Sequence, residues 1–229
     1  MNFEYYYNNV PGIGLCRNNL IYTSLISQDK KTFVQWYYND TVYHKNQNEV
    51  VDPELMQEKW DREIKFLNKI KNYNSELVPE ILDIDYKNKK IYLKIDGVDF
   101  WESAGCDQKN FDRVLPNWQD QILNHLSEYR KAGFWKYSLH PSSYFVIKNK
   151  LISINYFFCY DDLENNVKIQ DVLSHISQKR QQELKKYLDL YEIKINSVAS
   201  FDSLGKLALD SFSDSYPTDF ISKAKTIYK

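Results

Sequence analysis

The sequence predicts an α+β fold in which an antiparallel sheet carrying one helix is followed by a mainly helical half. Three observations carry this. β-branched and aromatic runs come in pairs separated by short turn-forming segments, a long amphipathic helix lies between two such pairs, and helical periodicity dominates the later part of the chain. Paired runs joined by tight turns form antiparallel hairpins, whereas a parallel sheet needs a helix between successive strands.

Taken in order, LIYTSLIS (20–27) and KTFVQWYYN (31–39) flank the turn QDK and form the first hairpin. DPELMQEKWDREIKFLNKIKN (52–72) opens with Asp52 as N-cap, Pro53 at the first helical position and Glu54 in the first turn. Met56, Trp60, Ile64 and Leu67 recur at helical spacing and give this helix one apolar face. VPEILDIDY (78–86) and KKIYLKID (89–96) flank Lys87 and Asn88 as a second hairpin, and the loop 97–105, bounded by glycines, is the expected hinge. NWQDQILNHLSEYRKAG (117–133) reads as a helix from the cap Asn117 to Gly133. SYFVI (143–147) and LISINYFF (151–158) flank the turn KNK. Beyond about Gln170 two or three helices are expected, with Leu173, Ile176, Leu184 and Leu188 on one, Leu204, Leu207 and Ala208 on another, and a last one after Pro217. The expected division is 1–97 and 98–229.

Composition narrows the function classes. Lys plus Arg total 30 against 31 acids, so no global field favours phosphate backbones or anionic membranes. Nucleic acid is therefore not an expected partner. The 36 aromatic side chains (19 Tyr, 12 Phe, 5 Trp) are explained by half-buried strand positions, where a tyrosine ring packs and its hydroxyl stays wet. Cys16, Cys106 and Cys159 lack the close spacing of a zinc or redox motif and read as reduced thiols. The opening MNFEYYYNN has no basic region followed by an apolar run, and no apolar stretch is long enough to cross a bilayer. A cytoplasmic protein is the expectation.

The stretch EYRKAGFWKYSLHPSSYFV (128–146) resembles the protein-kinase-like family, in which a helix ends at glycine before H-x-D-L-x-P-x-N and a strand. Gly133, Leu139 and Pro141 fall in place, LISINYFF stands where the strand into the D-F-G motif belongs, and REIKFLNKI (62–70) resembles the helix whose glutamate pairs with a strand lysine. The resemblance implies a two-lobe kinase-like fold, with a reduced helical second lobe. It also implies a site, and there this chain departs. The catalytic-loop histidine falls on Lys136, the catalytic aspartate on Ser138, the metal-binding asparagine on Ser143 and the metal-binding aspartate on Asn155. The strand lysine falls on Trp36, or on Gln35 if the register slips by one. A serine hydroxyl does not accept a proton near neutral pH as a carboxylate does, and neutral side chains are poor magnesium ligands. Glu63 alone is kept, either as a site residue or as a carboxylate at the rim of the apolar stripe, and if buried it needs a cation. The wording also resembles small proteins of T4-like cyanophages, which would place the chain in a host cytoplasm.

The resulting expectation is a pseudokinase: a binding or regulatory module with no catalytic residue, no metal and no cofactor, acting on an unidentified protein partner, with a small-molecule ligand between the lobes left open. The alternative is a divergent phosphotransferase or nucleotidyltransferase with Glu63, Ser143, Asn155 and Asp161 or Asp162 in a rearranged site. Gly12 and Gly14 form a lone GxG, which reads as an ordinary turn. His44, His125 and His175 are dispersed, His140 reads as structural, and no G-x-S-x-G accompanies SLHPSS. Asp83 and Asp85 read as a solvated strand edge beside lysines.

Overall fold

Turn chemistry sets the first sheet. In the computed structural model, which describes residues 2–5, 23–37, 42–44, 49–51, 53–161, 185, 188–189 and 201–228, Lys30 takes a left-handed φ of 55° in the turn between β2 (Thr23–Ser27) and β3 (Thr32–Trp36). Asp29 Oδ1 accepts from Ser27 Oγ at 2.6 Å and from Lys31 N at 3.1 Å, holding that turn. The second hairpin, β6 (Ile81–Asp85) and β7 (Lys90–Lys94), turns in the same way, with Asp85 accepting from Asn88. With β1 (Phe3–Tyr5) these strands form one antiparallel sheet in the order β1-β2-β3-β7-β6. β4 (Val42–His44) and β5 (Glu49–Val51) pair separately.

α1 (Pro53–Tyr73) lies between the two hairpins in sequence, as predicted. Met56, Trp60 and Leu67 of its expected stripe are buried, Ile64 is half-buried, and Phe66 and Ile70 complete the packed face. Trp60 meets the Tyr37 ring edge-on at 5.8 Å. The expected cap Asp52 lies outside the described residues, as do 20–22, 38–39, Gly12, Gly14, Cys16, Asp162, His175 and the helical positions Leu173, Ile176 and Leu184.

The loop expected at 97–105 contains a short helix, α2 (Phe100–Ser103), capped by Asp99, whose Oδ1 accepts from Glu102 N at 2.9 Å. α3 (Phe111–Val114) follows. Contacts divide the chain into Met1–Pro116 with Pro141–Phe157, and Asn117–His140 with Phe158–Lys229, rather than at Gly97. The reason is packing: β9 (Tyr144–Ile147), hairpinned with β10 (Lys150–Ser153), bridges Asp99 through Phe145, whose ring lies 5.2 Å from that of Phe33 on β3. Left-handed Lys148 and Asn149 make the hairpin turn.

In the second unit α4 (Trp118–Lys131) ends at Gly133, left-handed at φ 74°. Asn117 does not cap it with its side chain; its Oδ1 instead accepts from Gln121 Nε2 at 2.9 Å. β8 (Phe134–Lys136) pairs antiparallel with β11 (Cys159–Asp161). α5 (Phe201–Asp210) buries Leu204, Leu207 and Ala208, and α6 (Thr218–Lys225) follows Pro217, both as expected. Leu188 is buried as well. The Trp118 ring stacks on Tyr216 at 5.9 Å and touches Phe220 at 4.7 Å. The fold is α+β, an antiparallel sheet with one long helix followed by helices. Among the described residues no helix is long and apolar enough to cross a membrane.

Candidate functional site

Strand alternation decides which residue of β3 can reach the interior site. Gln35 is fully buried and its Nε2 donates to Asn155 Oδ1 at 3.2 Å. Trp36 points to the other face, half-buried, with the Lys90 ammonium 4.4 Å above its ring. Of the two residues named for the strand-lysine position, Gln35 is therefore the one placed beside Asn155.

Asn155 follows β10 and breaks the apolar run LISINYFF at φ 68°, a conformation that asparagine tolerates better than most residues. Its Nδ2 donates to Ser143 Oγ at 3.1 Å. Ser143 closes a single helical turn, Pro141–Ser143, and its carbonyl accepts from Ile154 N at 2.9 Å. The side chains of Gln35, Asn155 and Ser143 thus form one chain of hydrogen bonds with no formal charge on any member.

Glu63 is fully buried on the packed face of α1. Its Oε2 accepts from the Tyr37 hydroxyl at 3.1 Å and from Phe157 N at 2.6 Å. The carboxylate therefore ties α1 to the end of β3 and to the segment just after Asn155. Lys59, one helical turn earlier on α1, is likewise buried. The rim reading of Glu63 does not describe its position.

Lys136 and Ser138 belong to the second unit. Lys136 is fully buried in β8 and its Nζ donates to the Ser138 carbonyl at 2.6 Å, so the ammonium braces the loop backbone. That loop is held further by Tyr216, whose hydroxyl donates to Leu139 O at 2.5 Å, and by Tyr137, whose hydroxyl donates to Ser211 Oγ at 2.8 Å. His140 packs edge-on against Phe212, and His125 lies 3.2 Å from the Tyr129 hydroxyl. Both imidazoles are buried among aromatic rings. Asp83 accepts from Ile84 N and Asp85 from its turn, and Asp161 is half-buried in β11. Among the described residues no group of three or more His, Cys, Asp and Glu is arranged to hold a metal ion.

The sequence does not single out Tyr37, Phe157 or Lys59. Tyr37 lies two residues from Gln35, hence on the same strand face, and that spacing is the available signal. Phe157 acts through its backbone, and Lys59 has the composition of a solvated lysine.

No protein-family model matches the chain. No curated protein matches it either. Among solved structures it is similar to WbdD crystallised with the kinase inhibitor LY294002, at 14% identity over 90% of this chain and 48% of that one, with a TM-score of 0.44. Monomeric WbdD gives 15% identity, 91% and 48% coverage, and a TM-score of 0.46. A rhoptry antigen kinase domain specific to Toxoplasma gondii gives 11% identity, 87% and 65% coverage, and a TM-score of 0.46. The chain thus spans about half the length of the WbdD chains.

Proposed function

We propose that this chain is a catalytically inactive, kinase-like binding or regulatory module that acts, in a cytoplasmic setting, through contacts with a protein partner. The observation that carries the reading is the neutral hydrogen-bonded chain Gln35–Asn155–Ser143. These residues stand where the kinase-like resemblance expects a cation and two metal ligands, and they are hydrogen-bonded to one another. Magnesium bound to a nucleotide calls for anionic oxygens and phosphate-gripping cations, and these three side chains carry neither. Glu63, the one acidic group kept, is engaged with Tyr37 and Phe157 as an internal fastening.

The test is thermal unfolding with and without ATP and magnesium. An unchanged midpoint is expected, and a clear saturable rise contradicts the reading. A second reading, a divergent phosphotransferase on a small molecule, draws on the proximity of Asn155 and Ser143. Transfer of label from ATP to a metabolite extract, lost on Glu63→Ala or Asn155→Ala, would favour it.

A further inference from the structure

Hydrogen bonds to the β3 side fix the phase of β7. Tyr37 N donates to Lys89 O and Ile95 N to Lys31 O, so the odd-numbered residues of β7 bond toward β3 and the even-numbered ones toward β6. Ile84, which stands opposite Ile91, therefore turns its amide and carbonyl away from the sheet. β6 is the last strand in the order β1-β2-β3-β7-β6, and no strand lies beyond it among the described residues. The outward Ile84 N–H is covered by its neighbour, for Asp83 Oδ1 accepts from it at 2.8 Å.

Side chains along this edge alternate. Leu82, Ile84 and Tyr86 are apolar or aromatic, and Asp83 and Asp85 stand between them. Leu82 is 47% exposed and Tyr86 64%, and with Tyr73 at the end of α1 they are the exposed large apolar side chains of the described residues. Such side chains gathered at one unpaired edge mark a contact surface. Asp85 is engaged by Asn88 and Lys90 lies over the Trp36 ring, whereas Asp83 has no cationic partner among the described residues. A second copy of the chain does not fit: antiparallel pairing about Ile84 sets Asp83 against Asp85 from both sides, and like charges directly opposite are destabilising. A strand with basic residues where β6 has acids matches both the charge and the apolar pattern.

We propose that β6 takes an added strand from a protein partner, a segment that alternates basic and apolar residues, and that Asp83 is the latch that selects it. Charged side chains on edge strands keep them from pairing indiscriminately. Here the carboxylate also occupies the amide that a ladder needs. A lysine or arginine arriving opposite Asp83 draws the carboxylate off Ile84 N, and the freed N–H and the Ile84 carbonyl then bond the incoming backbone. The proposal rests on the reading of this chain as a protein-binding module and names the surface.

Fluorescence polarisation with the full chain tests it, using labelled hexapeptides that alternate lysine with valine or threonine with valine, and a lysine–valine peptide N-methylated at its valines, the residues whose amides face Ile84. The lysine peptide is expected to bind saturably, the threonine peptide roughly tenfold or more weakly, and the methylated peptide not at all. Asp83→Ala should remove most of the preference for lysine, and Leu82→Ser with Tyr86→Ser should weaken the lysine peptide several-fold. All three side chains are exposed, and circular dichroism checks that the variants keep the fold. No binding of the lysine peptide, equal binding of the methylated peptide, or a lysine preference unchanged by Asp83→Ala overturns the proposal. So does a dimer of the chain alone that Leu82→Lys dissolves, because the edge would then belong to a second copy. Failure here removes this edge and leaves the non-catalytic reading standing, since that reading answers to thermal unfolding with ATP and magnesium.

Discussion

Replacing Glu63 with alanine removes the one carboxylate that fastens α1 to the end of β3 and to the segment after Asn155. Two hydrogen bonds to a charged acceptor are lost, from the Tyr37 hydroxyl at 3.1 Å and from Phe157 N at 2.6 Å. At roughly 1.5–3 kcal/mol each the gross loss is about 3–6 kcal/mol. Removing the charge also removes the cost of burying it, which brings the expected net destabilisation to about 2–4 kcal/mol. For a chain of this size each kcal/mol moves the melting midpoint by about 2–4 °C, so Glu63→Ala should lower it by about 5–15 °C. Glu63→Gln is the paired control. With its carbonyl oxygen in the place of Oε2 it can still accept from both Phe157 N and the Tyr37 hydroxyl, so the expected cost is about half or less of the alanine cost. Urea unfolding followed by far-UV circular dichroism measures both variants. An alanine variant within about 0.5 kcal/mol of the wild type, the range of a plain surface substitution, would refute the fastening role.

Gly205→Ala should destabilise the second unit, because the new Cβ would lie 2.3 Å from Tyr228 Cδ1, deep in contact with a buried ring. Overpacking costs typically about 1–3 kcal/mol and alanine returns at most about 1 kcal/mol of helix propensity, so a net loss is expected by thermal unfolding. Tyr228→Ala in the same chain should erase that increment, and equal costs of Gly205→Ala with and without Tyr228 would contradict the contact. Burial holds the Tyr228 phenol above the ordinary tyrosine range, so the stability it supplies is full below about pH 10 and lost as pH rises beyond it. Tyr228→Phe should reduce the alkaline sensitivity of the melting midpoint. At the acid end, hydrogen bonds from Ser27, Lys150 and Asn88 hold Asp29, Glu76 and Asp85 below the ordinary carboxylate range. Their contributions persist above about pH 4 and fade as pH falls through the lowered values, and Asp29→Asn should flatten part of that decline.

The hairpins and α1 are legible in the sequence because one face of each is packed and the other wet, so the periods of two and 3.6 survive. β3 keeps less of that signal. Thr32, Phe33, Val34 and Gln35 are all buried, and with no wet face to contrast, the pattern cannot say whether Gln35 or Trp36 turns toward Asn155. The β8–β11 pair is invisible for another reason. Strands of three residues show no alternation, and the run LISINYFF hides the left-handed Asn155 that ends β10 and frees the chain to pair again at Cys159. The site's neutral composition is readable from the motif positions, whereas its wiring is not. Hydrogen bonds from Gln35 to Asn155 and from Phe157 to Glu63 join residues 120 and 94 positions apart, a separation at which no local pattern operates.

Isothermal titration of the wild-type chain with ATP and magnesium, beside the variant carrying Gln35→Lys and Asn155→Asp, tests the central claim most directly. The neutral chain of hydrogen bonds should leave the wild type without saturable heat at millimolar nucleotide, and the added ammonium and carboxylate should give the variant a measurable, magnesium-dependent signal. Saturable heat from the wild type that disappears when magnesium is chelated would contradict the claim.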